Sequence, residues 1–133
     1  MSADPSDAPV GLAGRGVVAR RPGDPGLFLA LAPMDGVTDA SYRGVLTDLL
    51  HGRSGVSQCV SEFVRVVDQR VQPKVLARHC PELLGDGHTA AGVPVFVQLL
   101  GGDAAPMADS AALAADMGAV GIDLNFGLSL IHI

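Results

Sequence analysis

Three features of the chain predict a parallel α/β fold. Four short, apolar, strand-like runs lie along it: LALAPMDGVTD at 29–39, SEFVRV at 61–66, VQLLGGD at 97–103 and GIDLNFG at 121–127. Each carries its polar or glycine-containing end at its C-terminal tip. Helical patterns or one long excursion separate consecutive runs, the order that parallel pairing through right-handed crossovers requires. Runs this apolar, in a chain that is 48% hydrophobic, suit strands covered on both faces. In parallel α/β barrels, ligands and reacting groups gather at the C-terminal tips. The polar residues there are therefore the candidate functional residues.

Residues 1–26 are rich in Gly, Pro, Asp, Arg and Ala without a sustained period. They are expected to be a disordered leader or the product of an upstream start codon, with one domain over 27–127. Leu27 to Met34 is the first strand. Asp35 and Gly36 turn the chain, and Thr38 or Asp39 caps a helix. That helix carries Tyr42, Val45, Leu46, Leu49 and Leu50 as one apolar stripe, which is expected to face the core. Gly52 and Gly55 end it, and Val56 to Val64 is the second strand.

From 66 to 91 the pattern is irregular. Pro73 and Pro81 divide the segment, a short helix fits around Lys74 to His79, and Gly85, Gly87 and Gly92 predict a loop for the remainder. So long an excursion is more often functional than accidental. Val93 to Leu100 is the third strand. Asp103 caps the next helix, Pro106 fits its first turn and Gly118 its C′ position. Ala119 to Asn125 is the fourth strand.

A chain of 133 residues is too short for a complete eight-stranded barrel, which takes about 250. Leu27 to Met34 is too short to span a bilayer, and the N-terminal residues lack the apolar core of a secretory signal. Two cysteines, Cys59 and Cys80, do not make a disulfide framework. A soluble, cytoplasmic protein is expected, with no membrane partner. The net charge of −5 argues weakly against nucleic acid. Locally the sign reverses: between Glu62 and Cys80, Arg65, Arg70, Lys74 and Arg78 face only Glu62 and Asp68. Cys59, His79, Cys80 and His88 match no paired-ligand spacing, so no metal site is expected. GGD at 101–103 lacks the arrangement of a phosphate-binding loop.

Four positions can carry chemistry. Pro33, Met34 and Asp35 end a strand in a turn with a fixed φ and a small neighbour, which lets backbone approach a flat ring or simply reverses the chain. Gln98 is an amide inside an apolar strand, and a hydrogen-bonded network would satisfy it as well as a ligand would. Asn125 suits a cap, a turn or a contact. Arg65 suits an ion pair or the recognition of phosphate and base edges.

In order and spacing these segments resemble the N-terminal part of the tRNA-dihydrouridine synthases, over about residues 27–127. The resemblance implies the N-terminal half of a TIM (β/α)8 barrel, truncated, with about four parallel strands. It implies FMN as cofactor, NADPH as reductant, and reduction of a uridine in the D-loop of tRNA to 5,6-dihydrouridine. Pro33, Met34 and Asp35 would then lie against FMN through backbone atoms, and Gln98 would read the pyrimidine edge of the flavin. Asn125 would contact the target nucleotide or the flavin. EFVRV together with HCPEL resembles the bacterial C-type branch, the tRNA-dihydrouridine(16) synthases, in which the position of Arg65 touches tRNA. A monomer is expected when the barrel is complete.

The family motif runs Asn, any residue, Gly, Cys, Pro. Here Asn125, Phe126 and Gly127 are followed by Leu128, where the family has the cysteine that protonates the uracil. Leucine has no acidic proton, so no catalytic residue is assigned and the chain alone is expected to be inactive. Cys59 and Cys80 lie outside the motif and do not replace it. The resemblance stops at Gly127, and LSLIHI at 128–133 departs from the composition before it. One back-translation of it, CTG TCT CTT ATA CAC ATC, is the transposon mosaic end used as a sequencing adapter. Residues 128–133 are expected to be a non-native tail. Two other readings stay open. Another FMN-dependent TIM-barrel oxidoreductase is disfavoured by SEFVRV and HCPEL. A non-catalytic, truncated product is favoured by Leu128.

Overall fold

The computed structural model describes residues 24–49 and 55–127. The expected leader up to residue 23, Leu50, Gly52 and the tail at 128–133 lie outside the described residues. The elements are β1 (Ala30–Leu31), α1 (Ala40–Leu49), β2 (Gln58–Val60), β3 (Val64–Arg65), α2 (Pro73–His79), β4 (Val95–Leu100), α3 (Ala104–Asp116) and β5 (Ile122–Asn125). A 3-10 turn at Pro81–Leu84 follows α2. Every strand pairing is parallel: β1 with β2, β2 and β3 with β4, and β4 with β5. β2 and β3 are two pieces of one strand position, so the sheet has the four positions the sequence predicts. Eight close a barrel. Among the described residues β1 pairs only with β2 and β5 only with β4, which leaves two open edges.

Alternation along β4 divides the sheet into two faces. Val95, Val97 and Leu99 are fully buried and pack with Cys59, Val64, Leu76, Cys80, Met107 and Ala114, the layer between sheet and helices. Burying each such aliphatic side chain stabilises the fold by roughly 1.5–3 kcal/mol. The opposite face carries Phe96, Gln98 and Leu100, and it is the inner face of the barrel segment. Gly121 lies there because a Cβ at that position would run into the Phe96 ring.

The caps predicted for α3 are present. The Asp103 carboxylate accepts from Ala105 N–H at 3.3 Å, and Gly118 at φ +100° supplies the left-handed turn after the helix. The 66–91 excursion is more ordered than its glycines suggest. α2 starts at Pro73, and Leu76, Cys80 and Leu83 anchor it in the core.

The orientation of α1 differs from expectation. Tyr42, Val45 and Leu49 of the apolar stripe are 43%, 57% and 75% exposed, whereas Arg43 and Thr47 are buried. The cause is one guanidinium. Arg43 Nε and Nη2 donate to the two oxygens of Glu82 at 2.9 and 2.8 Å, Nη1 donates to Thr38 O at 2.7 Å, and Nη2 also reaches His79 O at 3.3 Å. Planar two-pronged pairing of this kind is about twice as strong as a hydrogen bond between neutral groups. One helical turn on, the Thr47 hydroxyl lies 3.0 Å from that of Thr89. Together they hold the Arg43–Thr47 face of the helix inward, and Tyr42, Val45 and Leu49 remain outside.

Burial raises the Glu82 carboxyl, but the hydrogen bonds and charge of Arg43, with contributions from its own backbone and the Cys80 thiol, outweigh that and hold it below its ordinary 4.5. A depressed carboxylate contributes stability that is full above the ordinary value and is lost as the pH falls through the lowered one. Glu82→Gln leaves the Arg43 charge buried without its counter-ion and should cost on the order of 3–5 kcal/mol at pH 7. Unfolding measured from pH 7 to pH 3 should show an acid loss that is smaller in the variant. An identical acid loss in both proteins would contradict this account.

Candidate functional site

The inner face is assembled by register. Val60 pairs with Phe96, Arg65 with Leu100, Gln98 with Asp123 and Leu100 with Asn125. Parallel partners point to the same side, so Arg65, Gln98, Asp123 and Asn125 share one face toward the C-terminal ends of the strands. The sequence predicts three of these four residues.

Arg65 reaches this face through an irregularity. Cys59 pairs with Val95, whereas Val64 pairs with Leu99. Five steps on one strand match four on the other, so one extra residue is inserted between Val60 and Val64. Without it, alternation would turn Val64 inward and Arg65 into the helix layer; with it, Val64 is buried and Arg65 faces the mouth. Ser61 stabilises the irregular stretch: its hydroxyl accepts from Gln98 N–H at 3.0 Å and donates to Glu62 O at 2.9 Å. The Glu62 carboxylate in turn accepts from Gly36 N–H. It thereby ties the Pro33–Gly36 turn after β1 to the second strand.

That turn is closed locally. Thr38 Oγ1 accepts from Met34 N–H at 2.7 Å, and Met34 O accepts from Val37 and Thr38 N–H, both at 3.0 Å. Met34 and Asp35 are exposed and Pro33 is half-buried, so the turn lies open at the mouth.

The Gln98 amide, almost fully buried, sits in a network. Its Nε2 donates to Asp123 Oδ2 at 2.6 Å, and its Oε1 accepts from Asn125 Nδ2 at 3.4 Å. Asn125 Oδ1 accepts from Gly127 N–H at 2.8 Å. Of the two ways to satisfy this amide that the sequence leaves open, the polar network is present. Asp123 is the residue that sequence reasoning missed. Its signal is an acidic residue in the same strand as Asn125, two residues before it. Each amide keeps hydrogen-bonding capacity beyond these contacts. Amide donors and acceptors gathered on one face fit the polar edge of a flat heterocycle.

Arg65, Arg70 and Lys74 border one surface groove of about 430 Å³, with Asp68 among them. The local positive excess in the sequence is therefore collected on one surface. Cys59 and Cys80 are buried in the layer between sheet and helices, away from the mouth. Among the described residues no three or more His, Cys, Asp or Glu side chains are placed to hold a metal ion. No helix among them is long and apolar enough to cross a membrane.

Comparison with known proteins bears on this geometry. The sequence profile of the family described as Dihydrouridine synthase (Dus) matches residues 30–128. A protein named tRNA-dihydrouridine(16) synthase from Vibrio parahaemolyticus serotype O3:K6 is 48% identical over 99 residues, 74% of this chain and 30% of the relative. One of the same name from Pasteurella multocida is 50% identical over 97 residues, 73% of this chain and 30% of the relative. The Haemophilus influenzae protein of that name is 48% identical over 97 residues, with the same coverage of 73% and 30%. The chain thus spans about three tenths of the length of these relatives, and the match is to their N-terminal part.

Burial, and then the neighbouring Glu82 carboxylate, push the Cys80 thiol up to about 12, and burial likewise raises Cys59. Thiolates, not thiols, are alkylated. Iodoacetamide at pH 8 should therefore leave both cysteines unmodified in the folded chain and label both after denaturation. Rapid labelling of the native chain would contradict the packing described above.

Proposed function

The chain belongs to the dihydrouridine synthase family, and from that membership we propose that it supplies the N-terminal part of a flavin-dependent tRNA-dihydrouridine synthase of the C-type branch. The reaction proposed is reduction of a uridine in the D-loop of tRNA to 5,6-dihydrouridine, with NADPH as reductant, in the cytoplasm. The observation that carries the reading is the polar cluster on the inner face, Gln98 with Asp123 and Asn125, beside Arg65 at the C-terminal end of the strands. Its position agrees with the location of functional sites in such barrels.

In this reading FMN, when bound, supplies the hydride chemistry. The residues of this chain orient it. Gln98 offers donor and acceptor to the pyrimidine edge of the ring, while Pro33, Met34 and Asp35 offer a backbone surface that Glu62 steadies through Gly36. Arg65 contacts the RNA, and the cations at 70 and 74 extend the same surface. A guanidinium suits phosphate and base edges in a folded RNA. Asn125, across β4 from Arg65 and next to Gln98, is assigned to the target nucleotide or the ring.

Proton delivery is the step this chain does not supply. Leu128 stands where the family has its cysteine, and leucine is no general acid. Neither buried cysteine faces the mouth. The chain alone is therefore proposed to be inactive, a reading that the non-catalytic alternative shares.

A graft tests the proposal: residues 30–127 of this chain replace the matching segment in the Vibrio parahaemolyticus relative. The graft should purify with FMN and form dihydrouridine in tRNA, whereas residues 1–133 alone should form none. In the graft, Arg65→Ala should weaken tRNA binding by about 1–3 kcal/mol with unchanged flavin content. Gln98→Ala should lower FMN affinity first. If Arg65→Ala lost flavin and stability but bound tRNA normally once refilled, Arg65 would be a scaffold residue and the assignment wrong.

A further inference from the structure

The hydrogen bonds at the mouth all run in one direction. Gly127 N–H donates to Asn125 Oδ1 at 2.8 Å, Asn125 Nδ2 donates to Gln98 Oε1 at 3.4 Å, and Gln98 Nε2 donates to Asp123 Oδ2 at 2.6 Å. The two ends of this relay have fixed chemistry: a backbone N–H only donates and a carboxylate only accepts. The carboxamides between them have no such preference, since turning an amide over exchanges its donor and acceptor. The ends therefore dictate the orientation of the middle. The bond lengths show which end holds Gln98. At 2.6 Å the contact with Asp123 is short, in keeping with a charged acceptor, whereas the one with Asn125 is at the limit of a hydrogen bond. Gln98 and Asp123 are also direct partners across β4 and β5.

We propose that Asp123 is a positioning residue that fixes which way the Gln98 amide faces, so that the site reads a planar imide edge. The ligand half of this statement rests on the flavin reading above; the orientation half does not. With Nε2 drawn to Asp123, Gln98 turns Oε1 to the side of Asn125. The unused capacity is then one lone pair on each of Gln98 Oε1 and Asn125 Oδ1 and one N–H on each amide. The Gln98 acceptor with the amide donors around it complements an N–H flanked by two carbonyls. The pyrimidine edge of a flavin carries that pattern, and so does the uracil ring of a uridine.

The alternative is that Asp123 merely satisfies a buried amide. Asp123→Asn separates the two, because asparagine is isosteric and its Oδ1 can still accept from Gln98. It can also donate, which removes the one-way end. A structural role predicts no change, and a positioning role predicts loss of a single orientation.

Two measurements decide. In the first, the side-chain amide of Gln98 is observed by nitrogen-15 correlation spectra of the 133-residue chain, assigned by its absence in Gln98→Leu. One Nε2 proton should be shifted downfield and protected from exchange, and Asp123→Asn should abolish both effects. A wild-type amide with free-amide shifts and rapid exchange, or an unchanged amide in Asp123→Asn, would overturn the proposal. In the second, FMN and uridine are titrated separately against the grafted barrel with and without Asp123→Asn, with the thermal midpoint as control for folding. FMN affinity should fall about tenfold, the worth of one well-made hydrogen bond. An unchanged affinity for both ligands in a folded variant would overturn the proposal. A loss confined to uridine would support the orientation and assign the edge to the substrate. Failure of the wild-type graft to bind FMN would refute the flavin reading, and the amide spectrum would still decide the role of Asp123.

Discussion

One inserted residue between Val60 and Val64 decides what this sheet presents to its mouth. Strand geometry has a strict period of two, so a single extra residue exchanges the two faces for everything beyond it. Before the insertion Val60 lies on the inner face and Cys59 in the core; after it Val64 is in the core and Arg65 is at the mouth. The insertion leaves Gln98 N–H without a ladder partner, and the Ser61 hydroxyl takes that place. It also frees Glu62 to reach Gly36. The second strand thus binds the turn after β1 to the strand that carries Gln98 through two adjacent side chains, Ser61 and Glu62.

A second constraint holds the frame from outside the sheet. Arg43 joins α1 to the end of α2 through His79, to the turn after it through Glu82, and to the segment after β1 through Thr38. Thr38 is also the residue whose hydroxyl closes the Met34 turn. The end of α2 and the turn after β1 therefore share one support. A buried ion pair is a poor source of net stability but a demanding geometric requirement. Here it fixes the rotation of a helix against its own hydrophobic pattern.

How much of this is legible in the sequence follows from the range of each interaction. Asp103 and Gly118 bound α3 where the sequence predicts because caps depend on neighbours a few residues away. The strands are found near their predicted positions because β-branched and apolar runs have few other uses, although β1 is shorter than its apolar run. Gln98 stands out as an amide inside an apolar strand and Asn125 as a polar residue at a strand end. The orientation of α1 is not legible, since Glu82 lies 39 residues from Arg43 and no local pattern pairs them. The inserted residue is equally hidden: SEFVRV reads as one continuous strand until β4 supplies the register. Asp123 escapes notice because its meaning lies in Gln98, 25 residues earlier.

The register at the second strand is the measurement that bears most directly on this account. Cross-strand contacts between amide and α-protons, the short ones in a parallel ladder, read by nuclear Overhauser spectroscopy on labelled chain, report which residues oppose each other. The account predicts Cys59 opposite Val95 together with Val64 opposite Leu99. Val64 opposite Leu100, the result for a strand without the inserted residue, would contradict it and return Arg65 to the helix layer.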